Sequence, residues 1–282
     1  MDILDAHHHL WDPTRFRYPL FDGNPVLNRP YLARDYEAVA TPLGIRRSIC
    51  VETATAGAPG IEELRWHLGA VEQSRVVAGI VAWAPVESSE LPAYLDEVTR
   101  VGKGRVKGIR RSFEFDPTDF PSRPEVISGV QGLAQRGWPF DLVLFRDSLP
   151  AATELVRRCP QVQFVLDHLG KPGIRDRELD PWRADLRALA SLPNVVCKVS
   201  GLTTEADRAS WTVDDLRPYF EHAVECFGWD RLLFGSDWPV CDLAGGYERW
   251  LEALDALLIG ASGAVRDRFF RENAAHIYSL GP

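Results

Sequence analysis

Three consecutive histidines lie within an apolar stretch near the N-terminus, Ile3-Leu4-Asp5-Ala6-His7-His8-His9-Leu10-Trp11. We predict a strand over residues 3–11. Successive side chains of a strand point to opposite faces, so His7, His9 and Trp11 share one face while Ala6, His8 and Leu10 share the other. Two imidazoles therefore project together from the end of an apolar strand.

Two simpler explanations compete with a functional pair of histidines. A purification tag would be longer than three histidines and would not lie inside a strand pattern that begins near the second residue. Chance placement of histidines in a surface loop stays open at this point. If the rest of the chain supplies residues that could act together with these histidines, a functional pair is favoured over chance.

Short apolar runs recur along the chain, and most are followed by a segment with helical periodicity, such as residues 61–68 and 216–224. We predict strands at residues 3–11, 48–53, 76–84, 106–113, 140–145, 163–169, 195–201 and 232–237. Strands that alternate with helices form a parallel sheet, and eight repeats indicate closure into a (β/α)8 barrel, the TIM barrel of the α/β class. The length of 282 residues predicts a single domain over residues 1–282. An open doubly wound sheet is the alternative, but no Gly-x-Gly-x-x-Gly turn follows any strand.

Loops that leave the predicted strands are longer than loops that enter them. Residues 11–32, 170–181 and 202–212 follow strands, whereas the three residues 192–194 lead into one. The loops that leave the strands build the active-site face of a barrel, so this asymmetry is typical of an enzyme. Residues 12–21 are rich in aromatic side chains and arginine, and we interpret them as a pocket wall or lid, or as structural packing.

Composition limits the partners. The net charge of −8 disfavours nucleic acid and anionic membranes, although it does not exclude a small anionic substrate. We find neither an apolar run of the ~18 residues that a membrane span needs nor a secretory signal pattern, and we expect a cytoplasmic protein. The five scattered cysteines lack a Cys-x-x-Cys spacing, and we expect most of them to be buried apolar residues. A homo-oligomer is compatible with the sequence.

The positions of the histidines narrow the site. Four fall on predicted helices or on the second face of the first strand, and we interpret them as structural: His8, His67, His222 and His276. His7, His9 and His168 lie near the C-terminal ends of predicted strands, where barrel enzymes carry their chemistry. Asp237 ends the last apolar strand, and it could ligate a divalent metal, accept a proton from water, or do both. Alternatively, Asp237 caps the segment that follows.

Four motifs together carry a resemblance: Asp5-x-His7-x-His9, Leu-Asp-His-Leu-Gly-Lys-Pro at 166–172, Phe-Gly-Ser-Asp-Trp-Pro at 234–239 and Glu-Asn-Ala-Ala-His-Ile-Tyr at 272–278. The chain resembles the amidohydrolase superfamily, and more narrowly the amidohydrolase-2 branch. That branch contains sugar-acid lactonases, which hydrolyse fuconolactone and rhamnonolactone, and pyrone-dicarboxylate lactonase. The resemblance implies a lactone or sugar acid as the small-molecule partner.

The resemblance also indicates how many metal ions the site could bind. Two-metal members of the superfamily use a carboxylated lysine on the fourth strand and a histidine on the fifth, but residues 140–145 contain no histidine. A binuclear centre is therefore not expected. At most one ion, for which Zn²⁺ is suitable, would be held by His7, His9, His168 and Asp237. Some lactonases of this branch work without metal, and the same residues would then bind the carbonyl and the water directly.

Further residues are candidates for substrate binding. Arg110 resembles the branch's Gly-x-Arg position, and Arg110 or Arg111 could anchor a substrate through a planar guanidinium. Lys171 could polarise a lactone carbonyl or be solvated, and Glu52 could bind substrate hydroxyls or form an ion pair. Three tryptophans lie near strand ends and could stack on a sugar ring, although packing is the default for each: Trp11, Trp83 and Trp238.

The leading hypothesis is hydrolysis of a lactone to its hydroxy acid. Asp237 would act as general base toward water, and His7, His9 and His168 would stabilise the oxyanion, with or without a metal. One alternative is a decarboxylase, a lyase acting on an unsaturated or aromatic acid. A lactone isomerase is another, and a binding module without catalysis is the third.

Overall fold

The computed structural model describes residues 2–53 and 60–281. Within these residues, eight strands form one parallel sheet in which each strand pairs with the next along the chain. The strands are β1 (Ile3–His9), β2 (Ile45–Val51), β3 (Val77–Trp83), β4 (Val106–Ser112), β5 (Phe140–Val143), β6 (Phe164–Leu166), β7 (Val195–Val199) and β8 (Leu232–Phe234).

Helices alternate with these strands. They are α1 (Ala33–Ala40), α2 (Gly60–Gln73), α3 (Leu91–Gly102), α4 (Pro124–Gly132), α5 (Leu149–Arg158), α6 (Trp182–Ala190), α7 (Leu202–Glu205), α8 (Val213–Phe227), α9 (Gly246–Leu257), α10 (Gly263–Asp267) and α11 (Asn273–Ile277). One π-helical turn, Arg268–Glu272, joins α10 to α11. Across the described part of the chain, no helix has both the length and the apolar character that a bilayer crossing requires.

The sheet closes where β1 meets the segment after β8. The backbone N–H of His9 donates to the carbonyl oxygen of Trp238 at 2.7 Å, and the N–H of Asp237 donates to the carbonyl oxygen of His7 at 2.8 Å. A parallel bridge between His8 and Trp238 lies between these bonds. The predicted (β/α)8 barrel is therefore confirmed.

All eight strands end earlier than the sequence indicated, and two of them end three residues earlier. We predicted strands up to residues 169 and 237, but β6 ends at Leu166 and β8 ends at Phe234. His168 and Asp237 have φ angles of +55° and +56°, in the left-handed region that an extended strand does not enter. The backbone therefore turns sharply at these two candidate site residues.

The alternation of side chains in β1 breaks once. The register with β2 shifts between Asp5 and His8. Ala6 packs in the apolar cluster inside the barrel, whereas His8 lies on the other side of the strand. Our expectation that Ala6 and His8 share a face is wrong, because this irregularity interrupts the period of two.

The inside of the barrel has an apolar part and a charged part. Side chains from most strands form a buried apolar cluster that also contains Ala274 and Tyr278 from the C-terminal helix region. The other inward-facing groups are ionic and almost fully buried, and they lie next to the candidate site: Glu52, Arg110, Asp141, Asp167 and Lys198. Barrel interiors are usually filled by branched apolar side chains, so this charged part is unusual.

Candidate active site

Three imidazoles and one carboxylate converge where β1, β6 and β8 end. Oδ1 of Asp237 lies 3.7 Å from Nε2 of His7, 3.6 Å from Nε2 of His9 and 3.9 Å from Nε2 of His168. The Nε2 atoms of His7 and His9 are 3.1 Å apart. The structure therefore brings together the four residues that the sequence analysis placed in one site.

Each imidazole is held through its other ring nitrogen. Nδ1 of His9 lies 2.9 Å from the carbonyl oxygen of Val51, and Nδ1 of His168 lies 2.9 Å from Oγ of Ser200. Nδ1 of His7 lies 3.2 Å from the ammonium nitrogen of Lys198. These contacts leave all three Nε2 atoms directed at the centre of the site.

His8 stands apart from this group. Its ring stacks on Tyr36 with the ring centroids 3.8 Å apart, and its Nε2 lies 3.0 Å from Oγ of Ser48. It therefore packs between the barrel and α1, as the alternation of the strand predicts for a residue between two site residues.

The turn that carries Asp237 is anchored by Asp5. The Asp5 carboxylate accepts hydrogen bonds from the backbone N–H and the hydroxyl of Ser236, at 2.9 and 2.6 Å. It also accepts bonds from the hydroxyls of Tyr36 and Tyr247. Asp5 is thus the group that fixes Asp237 relative to β1 and two helices.

Two glycines keep room for the histidines. A Cβ atom on Gly201 would lie 2.7 Å from Nδ1 of His168, and Gly201 also has a φ of +69°. A Cβ atom on Gly235 would lie 2.8 Å from Cβ of His7. Any larger residue at either position would displace a site imidazole.

The pKa values of the site residues determine which of them are charged. Burial on its own raises the pKa of Asp237, but the neighbouring His168 and a hydrogen bond from His9 hold it well below its ordinary value. Burial lowers the pKa of His7 far below its ordinary value, and it also lowers that of His168. At neutral pH the ionised carboxylate of Asp237 therefore faces the neutral imidazoles of His7 and His168.

A buried ionic network lies directly behind the imidazoles. Arg110 donates to Oε1 of Glu52 at 2.6 Å and to Oδ2 of Asp167 at 3.2 Å. Lys198 donates to Oδ2 of Asp141 at 2.5 Å and lies 3.0 Å from Oδ1 of Asp167. Burial is the main cause that raises the pKa of Asp141 to about 6, while Lys198 opposes the rise.

The site opens into a cavity of about 280 Å³. Its walls combine aromatic, apolar and charged side chains. Predicted site residues that line the cavity are His9, His168, Asp237, Arg110, Lys171 and Trp11. Tyr18, Leu20 and Phe21 also line it, from the segment 12–21 that the sequence analysis interpreted as a pocket wall or lid, or as structural packing. Residues lining it that the sequence analysis did not single out include Thr53, Glu114 and Arg208. This size is close to the lower end for small-molecule sites and suits a compact ring.

Two of the predicted substrate-binding residues in the cavity, Lys171 and Trp11, already bind other groups of the protein. Lys171 forms a short ion pair with Glu114, and Oε1 of Glu205 lies 3.9 Å from its ammonium nitrogen. The indole N–H of Trp11 donates to the carbonyl oxygens of Leu27 and Arg29, at 3.0 Å each. Trp11 is therefore a fixed part of the wall.

Four other predicted substrate contacts do not line this cavity. Glu52 is paired with Arg110, and Arg111 faces away from Arg110 because neighbouring strand residues alternate. Arg111 is paired with Glu87 and Asp116. The two tryptophans pack against tyrosines instead: Trp83 on Tyr94, and Trp238 on Tyr31 and Tyr36.

The sequence analysis missed Asp141, Asp167 and Lys198 as parts of the site. A signal for two of them exists, since Lys198 interrupts the apolar run Val-Val-Cys-Lys-Val and Asp141 interrupts Phe-Asp-Leu-Val. A charge inside a strand that is buried on both faces requires a partner within the barrel.

The four converging residues fit a single metal ion in donor type and in spacing. One ligand atom from each of His7, His168 and Asp237 lies within 4.8 Å of the others, and Nε2 of His9 lies beside them. Ligands of one tetrahedral Zn²⁺ are about 3.3 Å apart. The Nε2 atoms of His7 and His9 are 3.1 Å apart, and Oδ1 of Asp237 lies 3.6 to 3.9 Å from the three Nε2 atoms.

Comparisons with known proteins agree with the geometry. A family model described as amidohydrolase matches residues 4–280. The L-fucono-1,5-lactonase of Burkholderia multivorans is 32% identical over 296 aligned positions, covering 98% of this chain and 96% of that protein. The L-rhamnono-gamma-lactonase of Scheffersomyces stipitis is 25% identical, covering 73% of this chain and 70% of that protein. A crystal structure of an amidohydrolase from Burkholderia multivorans with bound zinc matches over 100% of both chains, with a TM-score of 0.89 and 32% identity.

Proposed function

The chain belongs to the amidohydrolase family, and from this premise we propose that it hydrolyses a sugar-acid lactone to the hydroxy acid. The observation that carries the proposal is Oδ1 of Asp237, which lies 3.6 to 3.9 Å from three imidazole Nε2 atoms beside the cavity. The lactonase names of two relatives support the substrate class. We further propose that the protein acts in the cytoplasm as one domain.

Asp237 is the general base of the proposed reaction. Its ionised carboxylate accepts a proton from water while the water oxygen forms a bond to the lactone carbonyl carbon. The bond between that carbon and the ring oxygen then breaks. Because the low pKa of Asp237 makes its protonated form a strong acid, this carboxyl group returns the proton to the departing ring oxygen. His168 is the second candidate for this proton transfer, and the product is the open hydroxy acid.

The imidazoles stabilise charge on the carbonyl oxygen. His7, His9 and His168 present their Nε2 atoms to one point, and N–H donors preorganised there favour the oxyanion in a water-poor site. Lys171 lines the same cavity and adds a positive charge near the carbonyl. The positive charge of Arg110 contributes to the electric field at the carbonyl oxygen, although its guanidinium is already paired with Glu52 and Asp167.

We propose His7, His9, His168 and Asp237 as the residues that would hold one Zn²⁺. A bound Zn²⁺ supplies a Lewis acid that polarises a carbonyl oxygen. The proton transfers that we assign to Asp237 and His168 do not depend on a bound Zn²⁺.

A panel of aldonolactones tests the proposal. We expect ring opening of at least one sugar lactone, followed as acid release, with ¹⁸O from labelled water in the carboxylate of the product. Parallel samples with and without chelator, together with elemental analysis, measure the metal requirement. Turnover without label would indicate an isomerase, release of carbon dioxide from an aromatic acid would indicate a decarboxylase, and binding without turnover would refute hydrolysis.

A further inference from the structure

A continuous chain of buried hydrogen bonds runs from the C-terminal segment to His7. The hydroxyl of Tyr278, just after α11, donates to Asp141 and lies 2.9 Å from Oδ2. Asp141 in β5 accepts from the ammonium group of Lys198 in β7 at 2.5 Å. The same ammonium nitrogen lies 3.2 Å from Nδ1 of His7. These four side chains are at most 1% exposed.

Lys198 is held from three sides within this chain. Three polar atoms lie within 3.2 Å of its ammonium nitrogen: Oδ2 of Asp141, Oδ1 of Asp167 and Nδ1 of His7. Each of these atoms comes from a different strand or strand end, and Nδ1 of His7 also lies 3.3 Å from Oδ1 of Asp167. The position of the ammonium group is therefore set by the barrel itself, and it sets in turn the ring of His7.

Burying these charged groups costs free energy, which indicates a role beyond stabilising the fold. Buried ion pairs seldom stabilise a fold more than well-packed apolar residues of the same volume. The neighbouring interior positions are apolar, for example Val165 and Val196 on the strands that carry Asp167 and Lys198. Asp167 and Lys198 instead occupy the positions that contact the imidazole of His7.

We propose that Tyr278, Asp141 and Lys198 form a positioning chain that fixes the imidazole of His7 with Nε2 directed into the active site. These residues touch neither the substrate nor the reacting atoms, so they act through His7. The C-terminal segment thereby contributes to the site from the opposite side of the apolar cluster. The kinetic readout of this proposal rests on the proposed lactone hydrolysis, whereas its spectroscopic readout does not.

Tyr278→Phe is the primary test, because it removes one oxygen atom and keeps the ring in the apolar cluster. We expect kcat to fall about tenfold and KM to stay within about twofold, the pattern for a group that supports a reacting residue. Tyr219→Phe is the matched control. It removes a hydroxyl that lies 3.3 Å from the carbonyl oxygens of Gly173 and Glu178, outside the chain. Its kinetic constants should equal those of the wild type.

The imidazole ¹⁵N and ¹H resonances of His7 provide a readout that needs no substrate. Comparison with His7→Gln assigns them. Tyr278→Phe should shift the His7 resonances, and Tyr219→Phe should leave them unchanged. Unchanged resonances and kcat in Tyr278→Phe would overturn the positioning chain, as would a loss of activity that follows only the loss of folded protein. Asp141→Asn, which keeps a hydrogen-bonding side chain, repeats the test if Tyr278→Phe does not fold. A wild type without lactonase activity would refute the proposed function alone.

Discussion

Glu52 and Arg110 form a two-point contact inside the barrel. Nε of Arg110 lies 2.6 Å from Oε1 of Glu52, and Nη2 lies 2.5 Å from the backbone carbonyl oxygen of Glu52. Burial alone would lower the pKa of Arg110, but the carboxylates of Glu52 and Asp167 raise it above its ordinary value. This pair links β4 to the end of β2 beside the site.

Glu52→Gln should destabilise the fold by about 3 kcal/mol, because it leaves the buried guanidinium of Arg110 with less compensating charge. The free energy of unfolding in urea measures the loss. Glu97→Gln, which breaks surface pairs with Arg65 and Arg100, should cause only a small loss. Equal stability of Glu52→Gln and wild type would contradict the structural role of the pair.

Asp237→Asn should lower turnover of the lactone about 10³-fold, because an amide cannot accept the proton from water. The far-UV circular dichroism spectrum should match that of the wild type. The control is Asp255→Asn, which alters an ion pair between an exposed carboxylate on α9 and Arg266. Near-normal turnover by Asp237→Asn would remove it from the mechanism.

The stability of the fold should decrease with rising pH because of Glu63. Burial, reinforced by the nearby Glu52, raises the pKa of Glu63 to about 8, from 4.5. Between these values the folded state holds a proton that the unfolded state has lost, so the free energy of unfolding falls as pH rises through this window. Glu63 accepts a hydrogen bond from the backbone N–H of Thr53, and Gln can preserve this bond.

Glu63→Gln should therefore flatten the pH dependence of stability between about pH 5 and 8. Urea titrations at several pH values measure the slope. Glu62→Gln, at an exposed neighbouring position in α2, should keep the wild-type slope. A wild-type slope in Glu63→Gln would show that Glu63 does not hold the proton.

Zinc should raise the midpoint of thermal unfolding, because a ligand that binds only the folded state stabilises it. At 100 times the dissociation constant the gain is about 2.7 kcal/mol. His168→Ala should abolish the shift, whereas His276→Ala, on α11, should retain it. Absence of any shift in the wild type, with no zinc in elemental analysis, would argue for metal-free hydrolysis.

The fold was predictable because its signals are local. Alternation of apolar runs and amphipathic segments indicates the barrel, and the spacing of His7 and His9 places both rings on one side of β1. The convergence with His168 and Asp237 followed from a general property of barrels, since the C-terminal strand ends meet at one face.

What the sequence did not reveal depends on contacts between distant residues. The pairing of Glu52 with Arg110 spans 58 positions, and that of Lys198 with His7 spans 191. Pattern reasoning left Glu52 as either a substrate contact or an ion-paired acid, because it could not see the arginine beside it. Likewise, the left-handed backbone of His168 and Asp237 is imposed by tertiary contacts, and neither residue type prefers it strongly enough to be recognised.

The closure of the barrel through His8 and Trp238 also has a consequence for synthesis. The ribosome makes β1 first and β8 last among the strands, and Asp237 joins His7 and His9 only when these ends meet. A nascent polypeptide that has not yet emerged past Asp237 carries the histidines without their carboxylate. The proposed site is therefore complete only after the segment that carries Asp237 has been synthesised and has docked on β1.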